Sequence, residues 1–329
     1  MDICLVAGGA GFIGSHLCEA LLKENRKVVC IDNFLTGTKA NIEHLLNRDK
    51  FRLIEQDITD KSWVLDHQLP DFTHIFHLAS PASPDDYFKY PVETMLANSV
   101  GTHNLLELAR RSKAKFFLAS TSEIYGDPKE HPQKESYWGN VNSLGPRSCY
   151  DESKRFAEAL TMSYFRMHGL EVVIARIFNT YGPRMGAMDG RAIPNFITQA
   201  LRKEPLTIYG DGSQTRSFCY IDDMIEGIIE SMYPKERKTA GEVINLGNAE
   251  EITVLALAQE IQKICDSALD MRFLPLPKDD PTKRRPDLTK ARQILNWQPT
   301  VSLKEGLDKS VAWFQQDLSK EKIFVDKFR

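Results

Sequence analysis

The chain has 329 residues, of which 42% are hydrophobic and 26% charged, proportions that favour a globular protein and exclude a disordered one. The net charge of -3 argues against a nucleic-acid-binding protein, and we expect a cytoplasmic protein because Met1 leads directly into a strand-like segment and no apolar run could span a membrane. The six cysteines are widely spaced without a CxxC pair, so we expect reduced thiols and no bound metal.

Short β-rich runs alternate with helical patterns through the first half of the chain. Strands are predicted at 3–7, 27–31, 51–55, 74–78, 115–119 and 171–176, and amphipathic helices at 13–23, 92–111 and 150–168. This alternation predicts βαβ units, and therefore an α/β fold with a Rossmann-type doubly wound parallel sheet.

The pattern changes after Phe178, where loops with Gly and Pro connect short strands and separate helices at 193–201, 254–265 and 303–315. We therefore expect an NAD-binding Rossmann domain over 1–178 and a smaller, mainly substrate-binding domain over 179–329. The segment 222–248 again has the pattern of a helix followed by a strand, and it is expected to return to the sheet.

A glycine-rich turn follows the first predicted strand. Gly8, Gly11 and Gly14 give the spacing GxxGxxG, and a helical pattern begins at Ile13, so a pyrophosphate can approach the backbone at the start of the helix. Asp32 ends the second predicted strand, where a carboxylate can bind ribose hydroxyls and repels a 2′-phosphate. These residues predict a dinucleotide site that prefers NAD to NADP.

Other residues expected at the cofactor lie in the same turn, at later strand ends or in the catalytic motif described below, because open α/β sheets bind ligands at the carboxyl ends of their strands. Asp57 and Ile58 follow the third strand, and Leu78, Ala79 and Ser80 follow the fourth. The rest of the expected set is Phe12, Ile13, Asn33, Phe34, Thr36, Gly37, Tyr150, Lys154 and Thr180.

A second motif, YxxxK, places Tyr150 and Lys154 on one face of a predicted helix. A tyrosine needs a lowered pKa to act as a base at neutral pH, and we expect the nearby ammonium group to contribute to that shift. The segment Ser120-Thr121-Ser122-Glu123 follows the fifth strand, so its side chains should lie at the same edge of the sheet. Glu123 is a candidate general acid or base if burial raises its pKa.

The glycine motif, YxxxK and the Ser/Thr segment together resemble the extended short-chain dehydrogenase/reductase family. Within it, the segments 77–84, 120–128, 131–142, 147–152, 178–185 and 209–218 are similar to UDP-glucuronate decarboxylases. The resemblance implies that Thr121, Glu123, Tyr150 and Lys154 are catalytic. It also implies a role for Arg284, which lies two residues before Pro286, although a Lys-Arg-Arg run alone more often indicates a solvated cluster.

The resemblance also implies a nucleotide-sugar site and a homodimer formed by the helices at 92–111 and 150–168. Arginine side chains suit a diphosphate because their planar groups donate two hydrogen bonds at once. The expected substrate-binding residues are Asn179, Arg184, Arg191, Tyr209, Gln214 and Arg216, together with Glu123, Tyr150 and Arg284.

The expected reaction is decarboxylation of UDP-glucuronate to UDP-xylose. Tyr150 removes the C4 hydroxyl proton while hydride passes from C4 to NAD, and the resulting 4-ketone loses carbon dioxide. C5 is then reprotonated, and NADH returns the hydride to C4, which regenerates NAD. The alternatives are a dTDP-glucose 4,6-dehydratase, for which an aspartate is expected where Ser122 stands, a nucleotide-sugar 4-epimerase, and a non-catalytic NAD-sensing protein.

Overall fold

The computed structural model describes residues 1–65, 69–187, 189–235, 237–276 and 283–327. Its strands are β1 Ile3–Ala7, β2 Lys27–Asp32, β3 Phe51–Glu55, β4 His74–His77, β5 Lys115–Thr121, β6 Val172–Ile177, β7 Thr180–Tyr181, β8 Leu206–Tyr209, β9 Thr215–Ser217, β10 Cys219–Tyr220, β11 Glu242–Leu246, β12 Glu251–Thr253, β13 Met271–Leu274 and β14 Lys283–Arg284. Seven of them form a parallel sheet in the order β11-β6-β5-β4-β1-β2-β3. The predicted Rossmann-type fold is confirmed.

Helices connect and cover these strands. They are α1 Phe12–Lys23, α2 Pro84–Lys89, α3 Pro91–Leu96, α4 Thr102–Ser112, α5 Ser148–His168, α6 Ala192–Arg202, α7 Ile221–Met232, α8 Val254–Ile264, α9 Thr289–Leu295 and α10 Leu303–Lys327. Short 3₁₀ turns occupy Lys39–Asn41, Glu43–Leu45, Trp63–Leu65 and Ser122–Tyr125. In the part of the chain that the structure describes, no helix has both the length and the apolar character needed to cross a membrane.

The sheet buries both of its faces, as a parallel sheet with helices on each side must. Successive side chains of β1 alternate between two hydrophobic clusters: Cys4 and Val6 pack with Leu17 of α1, whereas Leu5 and Ala7 pack with Leu105 of α4. The near-continuous apolar sequence of the central strands follows from this two-sided burial.

The strand order changes direction beside β1. The chain proceeds from β1 to β2 and β3 on one side, and from β4 to β5 and β6 on the other, so β1 and β4 are neighbours without being consecutive. A crevice opens at the carboxyl ends of strands at such a reversal. The glycine turn after β1 and residues 78–80 after β4 lie at this point.

Residues beyond 178 contribute both to the sheet and to a smaller layer beside it. β11 pairs in parallel with β6 as the seventh strand, so the segment 222–248 returns to the sheet. The smaller layer contains the pair β8 and β13, and the three-stranded sheet β12-β9-β14. The pairing of β14 with β9 places Arg284 next to Arg216.

The predicted single helix over 92–111 is wrong in one respect, because a π-helical turn at Ala97–Gly101 separates α3 from α4. Two contacts accompany the extra residue. A Cβ atom on Gly101 would overlap Ile58, and the Asn98 amide donates hydrogen bonds at 3.0 Å to Ser80 and to Ser153 of α5. Such turns are rare and often occur at functional sites.

Candidate active site

The glycine turn combines two glycines required by packing with one that packing does not require. Gly8 has φ +80°, and a Cβ atom there would lie 2.7 Å from the backbone of Ala79, while a Cβ atom on Gly14 would overlap the Gly8 carbonyl oxygen. A Cβ atom on Gly11 would meet only that oxygen, at 3.3 Å. Gly11 lines the cleft and precedes the first turn of α1, and without a side chain it allows close approach of a ligand to the backbone there.

Asp32 links the glycine turn to the end of β2. Its carboxylate accepts hydrogen bonds of 2.9 Å from the backbone N–H groups of Ala10 and Phe34. Burial raises the pKa of Asp32, and the two N–H groups oppose that shift. The carboxylate is thus fixed in place at the edge of the cleft.

An open cleft of about 710 Å³ runs along the ends of β1 to β4. It is lined by most of the residues expected at the cofactor: Gly8, Gly11, Asp32, Asn33, Thr36, Gly37, Asp57, Ile58, Leu78, Ala79 and Ser80. The cleft is also lined by residues that the sequence pattern did not indicate, several of them from the α3 region rather than from strand ends: Ile31, Leu35, Gln56, Thr59, Pro81, Glu93, Leu96 and Ala97. Of the described residues lining the cleft, none is Lys or Arg.

Six of the residues expected at the cofactor do not line this cleft, and four of these lie outside the catalytic motif. Phe12 and Ile13 form the start of α1, and the Phe34 N–H group contacts Asp32. Thr180 is buried and donates its hydroxyl hydrogen to the Phe178 carbonyl oxygen at 2.9 Å.

Tyr150 and Lys154, also expected at the cofactor, lie outside the cleft lining, both buried on α5 and facing the end of β5. The Lys154 ammonium group donates a 2.9 Å hydrogen bond to the Ala119 carbonyl oxygen and lies 5.8 Å from the centre of the Tyr150 ring. The Tyr150 hydroxyl is hydrogen-bonded to Thr121. The structure therefore brings together three of the expected catalytic side chains.

The expected lowering of the Tyr150 pKa is not observed. Burial raises the pKa of Tyr150 to about 12, against smaller lowering effects of Thr121 and Arg191. Burial also lowers the pKa of Lys154 to about 7, so this ammonium group loses its proton more easily than an exposed lysine. The phenol keeps its proton because desolvation outweighs the nearby charges.

Glu123 is held by two arginines. Arg284 donates two hydrogen bonds, one to Oε1 and one of 2.9 Å to Oε2, and Arg147 donates one of 2.8 Å to Oε2. The backbone N–H of Glu123 also donates to the Thr121 hydroxyl at 3.2 Å, which places this group beside Tyr150. Arg284 is 4% exposed, so it is not part of a solvated cluster.

Glu123 was a candidate general acid or base on the condition that burial raises its pKa, and that condition is not met in this arrangement. Burial does raise the pKa of Glu123, but Arg284 and Arg147 outweigh it and hold the pKa at about 2. Glu123 is therefore an anion at neutral pH in this arrangement.

Sequence reasoning missed Arg147 and Tyr87 as members of the site. Arg147 is the N-cap residue of α5, three residues before Tyr150, so helical spacing could have identified it. Tyr87 of α2 stacks on Tyr150, with ring centres 5.1 Å apart and planes at 7°. Nothing in the sequence pattern links Tyr87 to Tyr150, because they meet only through the fold.

The residues expected to bind a nucleotide sugar are more dispersed. Arg191 forms a two-point ion pair with Asp189 and is close enough to Tyr150 to lower its pKa. Gln214 donates a 2.6 Å hydrogen bond to the Tyr209 carbonyl oxygen, and Arg184 is paired with Glu19 of α1. The Asn179 carbonyl oxygen accepts a 2.9 Å hydrogen bond from the Cys219 N–H group.

Comparison with known proteins identifies relatives over nearly the whole chain. The sequence profile of the family described as GDP-mannose 4,6 dehydratase matches residues 5–310. UDP-glucuronic acid decarboxylase 4 of Arabidopsis thaliana is 51% identical over 95% of this chain and 68% of its own length, and UDP-glucuronic acid decarboxylase 1 of Danio rerio is 47% identical over 95% and 73%.

Solved structures show the same likeness. UDP-glucuronic acid 4-epimerase from Bacillus cereus, in complex with UDP-glucuronic acid and NAD, has a TM-score of 0.86 at 34% identity over 96% of this chain and 99% of that chain. UDP-glucose 4-epimerase from Thermotoga maritima has a TM-score of 0.88 at 31% identity over 97% and 100%.

Proposed function

This chain belongs to the GDP-mannose 4,6 dehydratase family, within the extended short-chain dehydrogenases/reductases, and from that membership we propose that it is an NAD-dependent UDP-glucuronate decarboxylase. The observation that carries the proposal is the convergence of Arg284 and Arg147 on Glu123, beside Tyr150. A site that gathers two guanidinium groups next to its base suits a sugar with a carboxylate.

The residues of the cleft fit NAD. Gly11 leaves room for a pyrophosphate at the start of α1, and Asp32 is placed to bind ribose hydroxyls. A 2′-phosphate would meet the Asp32 carboxylate without a Lys or Arg among the described lining residues. When bound, NAD would supply the acceptor for the C4 hydride and would later return that hydride.

Proton handling is the part of the reaction that this chain's own side chains perform. Tyr150 takes the C4 hydroxyl proton, and the Thr121 hydroxyl, already hydrogen-bonded to it, helps to orient the sugar hydroxyl. Because the resting phenol has a pKa of about 12, a cation must approach it before it can act as a base at neutral pH. Loss of this proton together with the C4 hydride, for which NAD would be the acceptor, gives a ketone that is β to the carboxylate. Arg284 and Arg147 hold the negative charges at that end of the sugar.

The deciding experiment is product analysis after incubation with UDP-glucuronate and NAD. We expect carbon dioxide release in step with formation of UDP-xylose, with no net NADH. A 4-epimerase would give UDP-galacturonate without carbon dioxide, and an NAD-sensing protein would give no product. Either outcome would contradict the proposal.

We also propose that the chain forms a homodimer through α3, the π-helical turn and α5. These helices expose a stripe of large apolar side chains: Val92, Met95, Leu96, Val100, Phe156 and Met167. Exposed apolar patches of this kind commonly mark interfaces between subunits. In sedimentation velocity, Phe156→Glu should shift dimer to monomer, whereas Leu46→Glu, at an exposed leucine outside these helices, should not. A monomeric wild type at micromolar concentration would contradict it.

Two further expectations stand as proposals. The part over 1–178 should bind NAD, and the part over 179–329, apart from 222–248, should bind mainly the nucleotide sugar. A cytoplasmic location is supported by the six cysteines, which are all free thiols, since secreted proteins usually oxidise theirs. Cell fractionation tests the location.

A further inference from the structure

A second carboxyl group lies beside the Glu123 cluster, and the mechanism above does not use it. Asp151 follows Tyr150 on α5 and is 5% exposed. Its Oδ1 atom is buried and accepts no hydrogen bond from any residue that the structure describes. A buried carboxylate without hydrogen bonds is costly, so the group requires an explanation.

The arrangement of cations explains which of the two carboxyl groups is ionised. Two guanidinium nitrogens of Arg284 and one of Arg147 donate hydrogen bonds to Glu123, whereas Asp151 interacts with these arginines only at longer range. Two neighbouring carboxyl groups in a desolvated site do not both ionise easily. The group that receives the hydrogen bonds becomes the anion, and the other keeps its proton.

The electrostatic environment of Asp151 agrees with this division. Burial and the Glu123 charge raise the pKa of Asp151 to about 8, although Arg147 and Arg284 oppose the shift. The charged and titratable groups that act on or respond to Asp151 come from four elements and are Glu123, Arg147, Arg284, Glu152, Tyr87, Cys149 and Tyr150.

We propose that Asp151 is a specificity-determining residue that works as a neutral acid, keeping the two arginines available to the carboxylate of the substrate. If Asp151 ionised, a negative charge would stand next to Arg147 and Arg284 and would weaken their attraction for a second anion. The affinity for a neutral sugar would be weakened less by this charge. The inference rests on the proposed function, because it concerns the carboxylate that distinguishes UDP-glucuronate from UDP-glucose.

The test compares the two ligands as a function of pH. Dissociation constants for UDP-glucuronate and UDP-glucose are measured by calorimetry at pH 7 and pH 9, with NAD present, in a Tyr150→Phe background that prevents turnover. The two ligands share the uracil and the diphosphate, so titration of those groups cancels in the ratio of the two constants. The ratio is the dissociation constant for UDP-glucuronate divided by that for UDP-glucose. With Asp151 present, this ratio should rise about tenfold between pH 7 and pH 9, since a group with a pKa of about 8 becomes mostly ionised over that range.

Asp151→Asn keeps the shape of the neutral acid and cannot ionise, so its ratio should stay at the pH 7 value throughout. The matched control is Asp308→Asn, which removes an exposed carboxylate of α10 that pairs with Lys304 at 3.3 Å, and which should retain the tenfold rise. The inference is overturned by an equal rise in Asp151→Asn, by a flat ratio in the Tyr150→Phe background, or by an Asp151→Asn ratio already raised at pH 7. Absence of carbon dioxide release by the wild type would instead reject the proposed function, so the two failures are distinct.

Discussion

Replacement of Arg147 by methionine should weaken catalysis and shift its pH dependence. The methionine keeps much of the length of the side chain and removes one of the three guanidinium hydrogen bonds to Glu123. A hydrogen bond to a charged group contributes about 1.5 to 3 kcal/mol, which corresponds to about a 10- to 150-fold loss in kcat/KM if the Glu123 geometry is needed in the transition state.

The direction of the pH effect follows from the charges. Arg284 and Arg147 hold the pKa of Glu123 at about 2 against the effect of burial, so loss of one cation raises that pKa. The acidic limb of the pH–rate profile should therefore move to higher pH in Arg147→Met. The assay is carbon dioxide release from carboxyl-labelled UDP-glucuronate between pH 2 and pH 9, a range that includes the wild-type pKa of Glu123, with retained NAD measured on the same samples.

A matched control is Arg166→Met, which removes an exposed arginine in the last turn of the same helix. Its activity and pH profile should equal those of the wild type. The reasoning would be refuted by an acidic limb in Arg147→Met that coincides with the wild-type limb. A shift of equal size in Arg166→Met would also refute it, since the effect would then reflect overall charge.

Three further predictions concern other parts of the site. Tyr150→Phe should lower turnover by at least about 10²-fold while NAD binding is retained, and single-turnover absorbance measures this loss. Turnover of the variant at the wild-type rate would contradict the role of the hydroxyl. Asp32→Ala should bring the affinities for NAD and NADP closer together, and an unchanged ratio in fluorescence titrations would remove Asp32 from the ribose site. Urea unfolding should show that the advantage of the wild type over Glu123→Gln in free energy of unfolding is complete above pH 5 and declines toward pH 2. The reason is that a carboxyl group whose pKa is lowered in the folded state contributes its full stabilisation only above its pKa in the unfolded chain. A difference that stays constant with pH would contradict the ion pairs.

Much of the fold was predictable because local signals and tertiary structure agree. The apolar run at Ile3–Ala7 became a strand with the predicted bounds, since a strand buried on both faces has a strong and short hydrophobic signal. The edge strand Phe51–Glu55, which is only partly buried, also has the predicted bounds. The π-helical turn at Ala97–Gly101 was not predictable, because it depends on contacts of Gly101 with Ile58 and of Asn98 with Ser80, which are distant in sequence.

In the site, likewise, some features could be predicted from sequence and others could not. Residues at strand ends, such as Gly8 and Asp32, could be placed from sequence because the sheet fixes where strand ends lie. Protonation states could not be placed, since they depend on burial and on which partner each group meets. Tyr150 and Glu123 both have pKa shifts opposite in direction to those expected, the first from desolvation and the second from two arginines.

The position of Arg284 shows why its role could not follow from a basic run alone. The main chain of Gln133, a fully buried residue, donates to the Arg285 carbonyl oxygen and accepts from the Asp287 N–H, while its side chain accepts from the Arg285 N–H, each at 2.8 Å. These bonds hold the segment after β14 against the loop that follows β5, and they turn Arg284 onto Glu123. The carboxyl ends of the sheet strands thus form the cofactor cleft. Contacts between two loops more than a hundred residues apart place the positive charge of Arg284, which the carboxylate chemistry requires, beside Glu123.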